Sequence, residues 1–343
     1  MFRYRAGIRL SSQVPKDWPK VTVIIVNWNG AMFLERCLRA LLSQTVAPHE
    51  IILLDNASSD ASIEIVERFA AVRLIRSEWN NGFARGNNLA MGTADVASEW
   101  IALLNPDAFA DPAWLESLLL AVECHPEFSS FGSKLVNAND PTVLDGTGDA
   151  YHPSGRVWRN GHGVTVADVD DLECEIFSGC AAACLYRRDV IDALGGFDED
   201  YFCYVEDVDL GFRLRLAGQR CLYVPESVVL HLGSATTGGQ DSDFAVYHGH
   251  RNLVWTFIKN MPGALFWVLL PLHLLLNIAS ILLFSLRGRT ALIMRAKYHA
   301  ALGLPAMWRK RQNIQRSRVA SLAQIWHMLD KSWPNKGRSG KKL

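Results

Sequence analysis

The stretch from Phe197 to Asp209, FDEDYFCYVEDVD, is dense in acids and aromatics and closes on two adjacent carboxylates, Glu206 and Asp207. They stand at the opening of an apolar-faced helix carrying Val208, Leu210, Phe212, Leu214 and Leu216. Carboxylates there are favoured by the helix dipole and are also available as a general base. Acids are common at helix starts, so the weight of this pair comes from the residues downstream of it: a helix, two short strands, and then His231, expected exposed at a strand end as a neutral-capable ligand. Three more polar groups end strands upstream: Asn27, Asp55 and Asp107. Asp55 can accept hydrogen bonds from a base imide or a ribose hydroxyl, and Asp107, beside a proline turn, can hold a divalent cation through oxygen. The alternative is that each caps the next helix. Residues 80–88, NNGFARGNN, read as a polar turn with permissive glycines and one cation, Arg85, suited to a phosphate or a base, or as an ordinary connection.

The elements that must position these groups alternate. Residues 21–26 form a β-branched strand, Asn29-Gly30 a turn, and Met32, Leu34, Leu38, Leu41 and Leu42 an apolar helix face. Residues 50–54 repeat the pattern, followed by a helix opened by Ser58, Ser59 and Asp60 and marked by Ile63, Val66 and Phe69. Residues 72–75 and 100–104 are further strands, and Pro112 starts another helix. Such alternation predicts a parallel sheet covered by helices, with ligands at the carboxyl ends of the strands. Residues 133–175 read as an irregular excursion. A helix over 188–194, the turn Gly195-Gly196, the helix after Asp207 and strands at 221–224 and 228–230 complete the pattern.

Composition narrows the class. With 49% hydrophobic residues in 343, the chain can bury a substantial core, which excludes global disorder. The net charge of +0 hides an asymmetry: residues 287–343 hold 14 of the 35 basic residues and one of the 35 acidic ones, Asp330. An acidic body therefore carries a basic tail. The seven scattered cysteines include no CxxC pair, and Cys180 and Cys184 are expected to pack. No apolar run comes after Arg3, Arg5 and Arg9, so residence in the reducing cytoplasm is expected. No GxGxxG follows the first strand and no GxxxxGK[ST] occurs, against hydride transfer and against a P-loop. Residues 260–286 lack formal charge and are long enough for a membrane helix, interrupted by Pro271, His273, Asn277 and Ser280. A single crossing would separate the acidic body from the basic tail, so the segment is expected to lie in the interface or to re-enter it as helices broken near Pro271. A buried helical hairpin is the competing expectation.

Six stretches resemble glycosyltransferase family 2, the inverting GT-A group, and its bacterial rhamnosyltransferase-like members: VTVIIVNWNG at 21–30, LLDNASSD at 53–60, NNGFARGNN at 80–88, LLNPDA at 103–108, residues 177–234, and HRNLVWTFIKN at 250–260. The resemblance spans roughly residues 20 to 260 and implies the nucleotide-diphospho-sugar transferase fold, an α/β Rossmann-like mixed sheet flanked by helices, with a C-terminal membrane-associated helical segment. It implies an N-terminal extension over 1–19, a catalytic domain over 20–259, membrane-associated helices over 260–330 and a disordered tail over 331–343. By that resemblance Asp207 is the catalytic base, Asp55 binds the nucleobase, Arg85 sits near base or phosphate, and Val26, Asn27, Asn105 and Asp107 line the donor. Asp107 and His231 would hold Mg²⁺ or Mn²⁺, while Glu206 and Gly179 would face the acceptor. The Asn105-Pro106-Asp107 signature replaces the first carboxylate of a DxD by an amide, as among rhamnosyltransferase-like members. It tilts the donor toward dTDP-L-rhamnose, with UDP-galactofuranose, UDP-glucose and UDP-GlcNAc as alternatives. The implied acceptor is a glycan or polyprenyl-diphosphate-linked sugar at an anionic membrane surface, on the cytoplasmic face of the inner membrane, with a peripheral or monotopic attachment and no nucleic acid partner. A non-catalytic sugar-binding module is the competing class, and the presence of Asp207, Asp107 and His231 argues against it.

Overall fold

The computed structural model describes residues 17–169, 171–233, 238–239 and 241–332. Its centre is β1 (Val21–Asn27), buried along its whole length. Side chains alternate across a strand, so Val21, Val23 and Ile25 enter one core while Ile24 and Val26 enter the other. A strand apolar on both faces must be covered on both sides. One cover is α1 (Ala31–Leu42), which buries Leu34, Cys37, Leu38 and Leu41. Next to β1 lies β2 (Glu50–Asp55), followed by the short α2 (Ser62–Val66) and the edge strand β3 (Val72–Arg76). The other face is covered by α3 (Gly82–Met91). On the far side of β1 is β4 (Trp100–Leu104), and β1 to β4 all run parallel.

The rest of the sheet departs from the parallel expectation. After β5 (Ala108–Ala110) and α4 (Trp114–Cys124), the chain enters β6 (Ser130–Asn137), a nearly fully buried strand. β7 (Leu144–Gly146) pairs with β6, and β8 (Asp149–Tyr151) with β9 (Val157–Arg159) as a separate ribbon. β10 (Cys174–Ile176) lies at the edge and β11 (Ala183–Arg187) slots antiparallel between β4 and β6. The region 133–175 is irregular only in part: its first residues complete β6, hidden from periodicity because Ser130, Gly132, Ser133 and Lys134 interrupt the apolar pattern although all are buried, while the remainder is loops carrying three-residue strands. After α5 (Arg188–Ala193) and α6 (Glu206–Leu216), the two strands expected at 221–230 are one, β12 (Cys221–His231), with a register shift between Val224 and Val228. Pro225 stands there, and lacking an N–H it cannot continue the ladder.

The C-terminal part is helical: α7 (Asp243–Asn260), α8 (Gly263–Leu286), α9 (Thr290–Arg316) and α10 (Leu322–Met328). The expected break near Pro271 is absent, since α8 runs through it as one 24-residue helix. Unlike a water-facing helix it is apolar on both sides, the one against the protein and the one turned outward. Phe266, Leu269, His273 and Phe284 are buried, while Trp267, Leu274, Leu275, Ile278, Leu282 and Leu286 face outward. His273 stacks on Phe257 of α7 at 4.0 Å and meets the Ser154 carbonyl at 2.7 Å; Asn277 meets His273 and Lys297. Most of the polar interruptions seen in the sequence therefore point into the protein, and a hairpin buried on all sides is not formed.

Candidate active site

At the carboxyl ends of β1 and β2, Asn27 Nδ2 donates to Asp55 Oδ1 at 2.9 Å and to Ser58 Oγ at 3.1 Å. Asp55 also accepts from the Ser58 N–H at 2.9 Å and its hydroxyl at 2.6 Å. Capping of the next helix is not its role, because α2 starts after Ala61 with no side-chain cap. Val26 packs beside Gly86, where an added Cβ would lie 2.8 Å from its Cγ1. The stretch 80–88 is not a turn throughout: Asn80 and Asn81 precede the helix, and Gly82, at φ +74°, opens α3, which holds the remaining residues. Arg85 is half exposed on the first turn of α3, 3.8 Å from Glu199.

A second cluster forms where β5 pairs antiparallel with β12, His231 opposite Ala108. This register sets His231 Nε2 3.4 Å from Asp107 Oδ1, and Asn105 Nδ2 is 3.4 Å from the same nitrogen. His231 is not exposed as expected but 3% accessible, because the end of β12 is flanked by β5 on one side and β6 on the other. Its Nδ1 lies 2.8 Å from Asp145 Oδ2. Burial alone would lower the imidazole pKa, but Asp107 and Asp145 outweigh it and lift it to about 9. Asp145, on β7, went unread in the sequence. The signal was there in the polar run Leu144-Asp145-Gly146-Thr147-Gly148-Asp149, but nothing local assigns its partner.

Asp145 leads to the third cluster. Its carboxylate accepts from Arg159 Nη1 at 2.7 Å and is held well below the ordinary range, burial being overcome by His162, His231 and Arg159. Arg159 also contacts Cys180 Sγ at 2.8 Å and Asp149 at 3.7 Å. Asp149, Cys180 and Asp207 bring ligand-type atoms within 4.8 Å of one another. Burial first, and Asp207 second, push the Asp149 carboxyl up to about 7 against the pull of Arg159. Asp207 accepts from the Ala181 N–H at 3.2 Å and the Val208 N–H at 2.8 Å, which point it at the loop after β10. Glu206 is buried, its Oε2 has no hydrogen-bond partner, and burial and Asp207 drive its pKa well above normal. Gly179 sits where an added Cβ would lie 2.4 Å from Cys184 Sγ, and Cys180 and Cys184 are both buried, as expected.

A continuous polar chain thus runs from Asp107 through His231, Asp145 and Arg159 to Asp149, beside Asp207. Asp145 against Nδ1 turns the opposite nitrogen of His231 toward Asp107, the arrangement by which a carboxylate orients a metal-binding histidine. Such a donor set fits a divalent cation.

Comparison with known proteins agrees with this frame. The model of glycosyl transferase family 2 matches residues 22–195. The N-acetylglucosaminyl-diphospho-decaprenol L-rhamnosyltransferase of Mycobacterium tuberculosis is 29% identical over 291 residues, covering 79% of this chain and 90% of that protein. The O-antigen chain rhamnosyltransferase RfbN of Salmonella typhimurium is 24% identical, covering 62% of this chain and 66% of that protein. Among solved structures, the mannosyltransferase PcManGT from Pyrobaculum calidifontis, in complex with GDP-Man and Mn²⁺, superposes with a TM-score of 0.52 at 18% identity, covering 91% of each chain. GalNAc-T7 with UDP, GalNAc and Mn²⁺ gives a TM-score of 0.56 at 16% identity over 71% of this chain, which spans about half of that protein's chain, 48%. These superpositions show the GT-A fold, with its mixed sheet and flanking helices. From its strand order to its matched residues, the chain belongs to glycosyl transferase family 2, as a glycosyltransferase of the bacterial rhamnosyltransferase-like kind.

Proposed function

We propose that the enzyme transfers L-rhamnose from dTDP-L-rhamnose, with inversion, to a hydroxyl of a polyprenyl-diphosphate-linked or cell-surface glycan. The observation that carries this reading is the chain of contacts joining Asp107 and His231 to the neighbourhood of Asp207, which links a cation-type donor set to the carboxylate taken as the base. The likeness to the decaprenol-linked rhamnosyltransferase supports both donor and acceptor class.

In this reading Asp55 and Asn27 receive the nucleobase, Val26 lines its edge, Arg85 approaches base or phosphate, and Asn105 and Asp107 face the donor diphosphate. Asp107 and His231 would hold Mg²⁺ or Mn²⁺. Such a cation would supply positive charge opposite the oxygens of the departing diphosphate. Asp207 takes the proton from the acceptor hydroxyl as that oxygen attacks the anomeric carbon and the bond to the nucleotide diphosphate breaks on the opposite side. Glu206 and Gly179 border the acceptor.

Residues 20–259 form the catalytic part and 260–330 a membrane-associated part in this proposal; 1–16 of the N-terminal extension and 333–343 of the tail lie outside the described residues. The outward apolar stripe of α8, with the opposite face packed on the protein, supports a helix lying in the membrane surface rather than crossing it. Arg287, Arg295 and Arg309, exposed in and before α9, would meet anionic headgroups on the cytoplasmic face. Lys297 and Arg311, expected there too, turn inward, onto the His250 carbonyl and Asn277 and onto the Ile258 and Met261 carbonyls respectively, while Lys310 is paired with Asp198 and Asp200 and Arg289 with Asp243.

A transfer assay with purified protein across dTDP- and UDP-sugars, using a polyprenyl-diphosphate-N-acetylglucosamine acceptor, tests the reading. Turnover is expected with dTDP-L-rhamnose, and preference for a UDP-sugar would overturn the donor. Asp207→Asn is expected to lower kcat at least ~1000-fold with dTDP binding retained, because the base acts on the acceptor. An equal loss of donor affinity would remove that role from Asp207.

A further inference from the structure

The loop that leads into Glu206 and Asp207 has a backbone its residues do not favour. Phe202 has φ 64° and ψ −64°, and the Cys203 N–H bonds back to the Tyr201 carbonyl at 2.7 Å, a γ-turn of the rare positive-φ kind. Tyr204 comes next at φ 68° and Val205 at φ 70°, the latter β-branched and therefore an outlier in the left-handed region. Three such residues within four positions persist only where their surroundings over-determine them.

The surroundings are specific. Asn252, fully buried on α7, directs its single Nδ2 at three carbonyls of this loop, Tyr201 at 3.0 Å, Cys203 at 2.9 Å and Tyr204 at 2.7 Å. Beside it Arg251 Nη2 donates to the carbonyls of Asp200 and Tyr201 at 3.1 and 2.8 Å, and its Nε holds Asn252 Oδ1 at 2.9 Å, which fixes the amide with its nitrogen toward the loop. From the opposite side, the Phe83 and Ala84 N–H groups at the start of α3 donate to the Phe202 carbonyl at 2.7 and 3.2 Å. The loop carbonyls are thus drawn two ways, toward the donor-side helix and toward α7.

We propose that Asn252 is a positioning residue for transfer: its amide holds the left-handed backbone at 202–205 and so sets where Asp207 meets the acceptor, while the donor half of the site is built without it. The proposal rests on the reading of Asp207 as the base. Its structural consequence is that the C-terminal helices are part of the catalytic apparatus, since α7 packs against α9 and carries the clamp.

The test is Asn252→Asp, which keeps shape and the bond from Arg251 but removes both donor hydrogens. With dTDP-L-rhamnose and the polyprenyl-diphosphate-N-acetylglucosamine acceptor, kcat is expected to fall about tenfold or more, the worth of one or two lost hydrogen bonds, with dTDP affinity within twofold of the native chain. Hydrogen exchange at 201–207 should accelerate by at least a similar factor, a readout that does not depend on turnover. Val205→Gly in the Asn252→Asp background should recover part of kcat, because glycine adopts φ +70° without strain. Should Asn252→Asp fail to fold, Arg251→Met, which removes the neighbouring donors, is expected to give the same pattern. Native kcat and native exchange in the folded Asn252→Asp chain would overturn the proposal, as would a loss of dTDP affinity equal to the loss of kcat. If Asp207→Asn itself retains turnover, it is the base that fails, and the exchange measurement still judges the clamp.

Discussion

Asp145 accepts from His231 on one side and from Arg159 on the other, so a single carboxylate sets the orientation of a cation-type ligand and of the guanidinium beside Asp207. Asp145→Asn keeps the volume but removes the charge both partners need. The apparent affinity for Mn²⁺ in the transfer assay is expected to fall about 10- to 100-fold, as for other groups that orient metal-bound histidines. An unchanged Mn²⁺ titration would mean that His231 is held by packing alone. The fully buried pair Lys259 and Asp209, 2.7 Å apart, belongs to a different class. Lys259 also pairs with Asp198, so Lys259→Met takes one of two cations from each carboxylate, leaving Arg213 on Asp209 and Lys310 on Asp198, and is expected to destabilise the protein by about 1.5–3 kcal/mol in a denaturant titration.

At the scale of elements, α8 docks on α7 through an imidazole that must be neutral. Burial pushes His273 down to about 4, helped by Lys297 and opposed by its bond to the Ser154 carbonyl; His250 is likewise pushed down to about 4. In the unfolded chain a histidine takes up its proton near ~6.5. Between pH 6.5 and 4 the unfolded state therefore binds more protons than the folded one, and stability falls as pH falls through that window. The expected loss is on the order of 1–3 kcal/mol per histidine, and His273→Gln should flatten the slope of melting temperature against pH. An identical slope in that variant would place the acid sensitivity elsewhere.

For the whole molecule, the decisive feature is an apolar stripe presented outward by α8, with Leu275 and Ile278 more than half exposed, alongside Tyr298 and Leu302 of α9. A surface of this kind calls for a covering partner. Vesicles containing phosphatidylglycerol are expected to bind the full chain, and salt to weaken that binding by screening the basic residues. Leu275→Glu with Ile278→Glu should release it, each change forfeiting about 1.5–3 kcal/mol of apolar burial. Absence of binding to either anionic or neutral vesicles would favour a protein partner for this face. With the helix lying on the surface, Lys342→Cys, in the stretch outside the described residues, should stay protected from an impermeant reagent applied to intact cells.

Most of the amino-terminal half was legible from the sequence because its determinants are local. Runs such as VTVIIV and IILL can only be satisfied as strands covered on both faces, and the turns and helix faces after them are set by neighbouring residues. Asn27, Asp55, Asp107 and Asp207 could be singled out for the same reason, each standing at the end of a recognisable element. What tertiary structure decided was non-local. β6 looked irregular because its small and polar residues are buried by partners distant in sequence. Asp145 meets His231 across 86 residues through pairings of β7, β6 and β12 that no spacing encodes. The same pairings bury His231, and residues of α7 hold the loop before Asp207 in a conformation its own sequence disfavours. Composition gave α8 its length and apolarity, but which face turns outward depends on where Phe257, Ser154 and Lys297 stand to receive His273 and Asn277. A side chain declares its chemistry alone; its exposure, charge state and direction belong to the neighbours that packing brings to it.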